Sequence, residues 1–153
     1  MAIGTDATIE FFGTLDDLDS ASAAVANDAF SISTDVVTPW TNDDDAPLAT
    51  MVFIGTWTSA PTANTVVNLY ARLLNVADTT KDQDVPDSNF GHAYLGSFPL
   101  NDVTTEQIIA IQIALPNVKS STEYEFYIEN RSGQTIDSGW SLQITPKTLG
   151  PSA

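Results

Sequence analysis

A chain of 153 residues suits one domain and buries enough surface to hold a core without staples. It has no cysteine, which excludes disulfides, thiolate zinc sites and thiol nucleophiles. Twenty Asp and Glu against five Lys and Arg give a net charge of −15, which argues against nucleic acid and anionic membrane as partners.

Strands are read where Val, Ile, Phe, Tyr, Trp and Thr alternate between Gly, Pro, Asn, Asp and Ser. The first is residues 8–12. Small residues at 20–26 could form a helical turn, and 16–29 is the one stretch with room for a helix. Residues 29–32 and 36–40 are short strand candidates, 51–58 is a stronger one, and 65–75 is the longest. A polar linker, 77–89, leads to strands at 93–100, 107–115, 124–129 and 140–145. In 107–115 the large residues Ile109, Ile111, Ile113 and Leu115 share one face. In 124–129, Tyr124, Phe126 and Ile128 form a dry face, while Glu123, Glu125, Tyr127 and Glu129 form a wet one. Arg131-Ser132-Gly133-Gln134 reads as a hairpin loop.

About eight or nine strands at regular spacing predict an all-β fold, an antiparallel β-sandwich of jelly-roll type. The domain is expected over residues 8–145. Residues 1–7 would be an N-terminal arm and residues 146–153 a C-terminal tail, both extended along the surface or towards a neighbour. The start of the chain has no basic or apolar signal region, so synthesis in the cytoplasm is expected.

Catalytic chemistry has little to stand on. His92 is the only histidine, and it opens a strand; a serine triad or a His-rich zinc site would depend on it. Paired carboxylates could hydrolyse glycosides if one were buried. The strand acids Glu10, Glu123, Glu125 and Glu129 read more simply as solvated. No enzyme is expected.

The acidic loops have two readings. One is a solubilising surface suited to a salty medium. The other is calcium, with Asp78, Asp82, Asp84 and Asp87 as a candidate ligand set and 16–19 and 42–45 as further clusters. None matches the spaced helix–loop–helix calcium pattern, and no cofactor is expected. Trp40, Trp57 and Trp140 either pack in the core or form a platform on which sugars stack. Phe11 and Phe12 put one ring on each face of the first strand. If one face is wet, one ring is exposed or covered by another subunit, which favours a homo-oligomer.

Five phrases carry a resemblance that runs the length of the chain. They are Ala7-Thr8-Ile9-Glu10-Phe11-Phe12-Gly13, Pro39-Trp40-Thr41-Asn42-Asp43-Asp44-Asp45-Ala46-Pro47, Val67-Asn68-Leu69-Tyr70-Ala71-Arg72-Leu73-Leu74, Tyr94-Leu95-Gly96-Ser97-Phe98-Pro99, and Gly139-Trp140-Ser141-Leu142-Gln143-Ile144-Thr145-Pro146-Lys147. Together the chain resembles the small virion structural proteins of tailed bacteriophages. The resemblance implies a capsid decoration (cement) protein that binds the outside of the head, with the major capsid protein or other virion proteins as partners, and a trimer favoured. Contact through Ile3, Phe11, Phe12, Pro146, Leu149 and Pro151 is the expected means of attachment. The alternative is a carbohydrate-binding or receptor-binding β-sandwich module in a head fibre or tail.

Overall fold

The computed structural model describes residues 8–20, 22–31, 39–74, 82–89, 93–116 and 122–151. Nine strands lie among them: β1 (Thr8–Phe12), β2 (Asp16–Asp19), β3 (Trp40–Thr41), β4 (Leu48–Gly55), β5 (Val66–Leu73), β6 (Ala93–Pro99), β7 (Gln107–Ala114), β8 (Glu123–Arg131) and β9 (Ser141–Pro151). They form two antiparallel sheets. The first runs β1-β9-β4-β7, with β2 also on β9; the second runs β3-β8-β5-β6.

β1 and β2 are two pieces of one edge. Thr8 to Phe12 pair with Pro151 to Lys147, and Asp16 to Asp19 continue along Ile144 to Leu142. With that edge taken as one strand, the orders become first-eighth-third-sixth and second-seventh-fourth-fifth, which is the jelly roll. The break falls opposite Pro146. The N–H and C=O of a strand residue point to the same side. The Pro146 carbonyl accepts the Gly13 N–H at 2.9 Å, so the side without a proline N–H is the side where the edge is interrupted. Gly13 is needed there: a Cβ would stand 2.6 Å from Pro146 Cγ and 2.5 Å from the Asp44 carboxylate.

The core lies between the sheets. β4 buries Ala49, Met51 and Phe53, β5 buries Val67, Leu69 and Ala71, and β8 buries Tyr124, Phe126 and Ile128, all by period-two alternation. Phe53 sits among Trp57, Phe98 and Trp140, with ring centroids 5.5–6.2 Å away. Ile113 and Leu115 are buried as expected for β7, while Ile109 and Ile111 are half-buried against the core.

Four expectations need correction. The tail does not begin at 146: residues 146–151 continue β9, and residues 152–153 lie outside the described ones. β9 reads weakly because Pro146, Lys147 and Gly150 interrupt its apolar pattern, yet it pairs on both flanks. The 16–29 stretch contains no helix among its described residues. It opens with β2 and then makes isolated bridges, Val25 to Ile136 and Phe30 to Glu129. Of the two short candidates at 29–32 and 36–40, the described parts are that Phe30 bridge and the first residue of β3; both lie beside β8. Lastly, the outer face of β8 is not uniformly wet, since Tyr127 and Glu129 are 0% and 4% exposed.

Candidate interaction surface

All three tryptophans are in the core, with their indole N–H groups satisfied inside the protein. Trp40 donates to Asp16 Oδ2 at 2.9 Å, Trp57 to Ser132 Oγ at 3.3 Å, and Trp140 to the Ala23 carbonyl at 2.9 Å. Buried rings whose only polar handle is already paired offer no stacking face to a sugar. That corrects the expectation of a tryptophan platform.

The acidic loops are built as turns. In 42–45, the buried Asn42 clamps the chain: its Nδ2 donates to the Ala46 carbonyl and its Oδ1 accepts the Ala46 N–H, each at 2.9 Å. Asp45 takes the left-handed conformation, φ 51°. Of the calcium candidates, Asp82 lies 3.8 Å from the Arg72 guanidinium. Asp87 Oδ1 accepts the Asn89 N–H, and Asp84 is exposed. Asp78 and His92 lie outside the described residues. Among the described residues no three His, Cys, Asp or Glu side chains group as a metal ion would require.

The outer face of the second sheet carries a polar network that the alternation did not reveal. Glu129 accepts hydrogen bonds from Asn68 Nδ2 (2.8 Å), the Tyr70 hydroxyl (3.1 Å) and Arg131 Nε (2.9 Å); Arg131 also reaches Asp28 at 2.7 Å. Burial alone would raise the Glu129 pKa. The donors Asn68, Arg131 and Tyr70 outweigh burial and hold it below the usual carboxylate range. A parallel set joins Arg72 to Glu125 at 2.8 Å and the Tyr127 hydroxyl to Glu125 at 2.6 Å. Burial, and then Glu125, push the Tyr127 hydroxyl well up. Phe30 packs on Tyr70 with ring centroids 5.3 Å apart, and Tyr70 in turn meets Tyr94 at 5.7 Å; Phe30 and Tyr70 help line an open depression of about 350 Å³. Within it Glu129 is met by Arg131, Asn68 and Tyr70, and Asp28 by Arg131, so these two carboxylates are satisfied from within the protein.

Apolar exposure gathers elsewhere, at the β1 corner. Phe11, Phe12, Leu15 and Leu149 are 50%, 62%, 54% and 53% exposed. They make up half of the exposed large apolar side chains among the described residues. The Phe11 ring crosses to Gly150, where a Cβ would stand only 2.9 Å from Cε2. The Lys147 ammonium lies 5.0 Å from the Phe12 centroid, with its stem covered. Between them and Pro146 is a cleft of about 180 Å³. Of the other expected contact residues, Pro146 is buried, Pro151 ends β9 opposite Thr8, and Ile3 lies outside the described residues. Leu15, at the strand break, belongs to this corner and was missed; its lone position between Thr14 and Asp16 carries no pattern.

No family model and no curated protein matches the chain. Among solved structures, one of infectious bursal disease virus, Gx strain, is similar at a TM-score of 0.28 and 12% identity, over 97% of this chain and 30% of that one. The chain thus spans less than a third of that chain's length, and a likeness this slight carries no argument for fold or function.

Proposed function

We propose that this protein is a non-catalytic virion structural protein, a decoration protein that attaches to the outside of a tailed-phage head and stabilises it. The observation that carries this reading is the exposed aromatic and aliphatic corner on the interrupted edge, Phe11, Phe12, Leu15 and Leu149. Large apolar groups collected at one corner of an otherwise acidic molecule mark a surface meant to be covered. The jelly roll supports the reading as an analogy of fold, since the same architecture serves capsid, lectin and cupin domains. The buried tryptophans and the self-satisfied polar face weigh against the lectin use. The partners are the major capsid protein or other virion proteins, and the mechanism is contact free energy that favours the intact shell over the ruptured one.

The test is co-sedimentation with heads of the encoding virus assembled without this protein. The full chain is expected to pellet with heads to a fixed copy number and to raise their rupture temperature. The Phe12→Ala chain is expected to pellet less. Full-length protein that stays in the supernatant would overturn the reading.

A further inference from the structure

The outer face of the first sheet carries no charge over β4, β7 and the Ser141–Thr145 part of β9. Every second residue points outward: on β4 from Leu48 to Ile54, on β7 from Ile108 to Ala114, and on β9 from Ser141 to Thr145. All are apolar or neutral polar. The register sets them in straight rows, with Ala110 beside Val52 and Gln143, and Gln112 beside Thr50 and Thr145. Ile108, at 65%, is the most exposed large apolar side chain among the described residues. Charge borders this stretch in register: Asp17, opposite Gln143, accepts its amide at 2.7 Å, and Lys147, opposite Leu48, lies against Phe12. The outer face of the other sheet contrasts: it carries Arg72, Glu125, Glu129 and Arg131.

We propose that a second copy of this chain packs on this face, sheet against sheet about a twofold axis. Each copy carries −15, so a contact that set acidic loops against each other would be opposed by repulsion at every like-charge juxtaposition. The carboxylate-free stretch over β4, β7 and residues 141–145 is the surface a like-charged body can cover without that penalty. A basic partner gains nothing from it and would be drawn to the acidic loops. Small and β-branched side chains in straight rows pack on their own copy much as the inner faces of a sandwich do, about 10 Å apart. A face packed on itself closes at two, so the assembly is a dimer where the sequence favours a trimer. The inference goes beyond the particle-binding reading and does not depend on it, since the β1 corner and this face can be mutated separately.

The test is light scattering on the full chain in about 0.1 M and about 1 M salt, where the Debye length falls from about 10 Å to 3 Å. The expected mass is twice the 16.4 kDa of one chain, with association stronger in high salt because screening removes the repulsion between the bodies. Ala110→Glu should weaken association at least about tenfold by bringing like charges into the contact, with Ile108→Glu as the second variant. Both positions are exposed, so circular dichroism and thermal unfolding of the monomer should match the parent. An equimolar mixture of Ala110→Glu and Ala110→Lys should recover the doubled mass. A monomer in both salts, a trimer, a dimer that weakens with salt, or a dimer indifferent to both folded variants would overturn the proposal. A dimer with these properties that binds no head would retain it and defeat the decoration reading.

Discussion

Phe53 and Phe12 are the same residue type in opposite settings, and truncating each to alanine separates core from contact surface. Phe53 is 0% exposed and touches Trp57, Phe98 and Trp140. Its removal loses the transfer free energy of the ring and leaves a cavity between two rigid sheets, a loss of about 3–5 kcal/mol. Phe12 is 62% exposed. Burying a whole phenylalanine is worth about 1.5–3 kcal/mol, so the buried third and a little more contributes about 0.6–1.1 kcal/mol. The Lys147 ammonium over the ring adds about 0.5–1 kcal/mol. Phe12→Ala should therefore cost about 1–2 kcal/mol, clearly less than the Phe53→Ala loss. In a chain of this length, 1 kcal/mol moves Tm by about 2–4 °C, so the expected drops are about 6–20 °C for Phe53→Ala and about 2–8 °C for Phe12→Ala. Urea titration followed by tryptophan fluorescence reads both, because Trp57 and Trp140 flank Phe53. Head binding should respond in the reverse order at temperatures where both variants stay folded. Equal stability losses for the two variants would refute the reasoning, since Phe12 would then be a core residue and no contact surface.

Three further outcomes follow from particular side chains. Asn42→Ala removes both hydrogen bonds that close the 42–46 turn and strands two buried Ala46 groups, so a loss of about 1–3 kcal/mol is expected by urea titration. Gly133, at φ +80°, stands where a Cβ would lie 2.9 Å from Thr62 Oγ1; Gly133→Ala should cost upwards of about 1 kcal/mol, with Gly139→Ala (φ +87°, open space) costing less in the same scan. Glu129 has a folded pKa below its unfolded one, so its contribution is fully present above the unfolded value of about 4.3 and is lost as pH falls through the lower folded value. Glu129→Gln should thus be less stable than the parent at pH 7, with the gap closing below about pH 4; a gap that stays constant with pH would remove the charge from the explanation.

Much of the sandwich was legible because several strands keep a period of two in sequence. β4, β5 and β7 alternate throughout and β8 does so through Phe126, and their ends differ from expectation by a few residues at most. The β1–β2 edge was less legible. β2 is Asp-Asp-Leu-Asp, a composition no strand propensity favours. Only its pairing with β9 makes it a strand, and that is information held 126 residues away in the chain, from Asp17 to its partner Gln143. The first half of β9 was read at 140–145; its second half hid behind Pro146, which a central strand tolerates here because the edge opposite it is already broken. Glu129 followed the alternation as a wet residue, but Asn68, Tyr70 and Arg131 enclose it from neighbouring strands and from its own. Phe11 and Phe12 stood out because two large rings in succession cannot both face a core on a period-two strand.

β9 is the last of the described strands in chain order, yet it lies inside its sheet, between β1 and β2 on one flank and β4 on the other. Until it emerges from the ribosome, β1 and β2 have no ladder to join, and β4 can pair only with β7. The jelly roll therefore cannot close before β9 is made, and at about 5–20 residues per second the first strands wait roughly 7–30 s for their partner. Throughout that wait apolar segments such as β1 and β4 are open to other nascent chains. An excess of fifteen negative charges on each chain keeps such chains apart while they wait, so the acidity serves the newborn polypeptide before it serves the finished one.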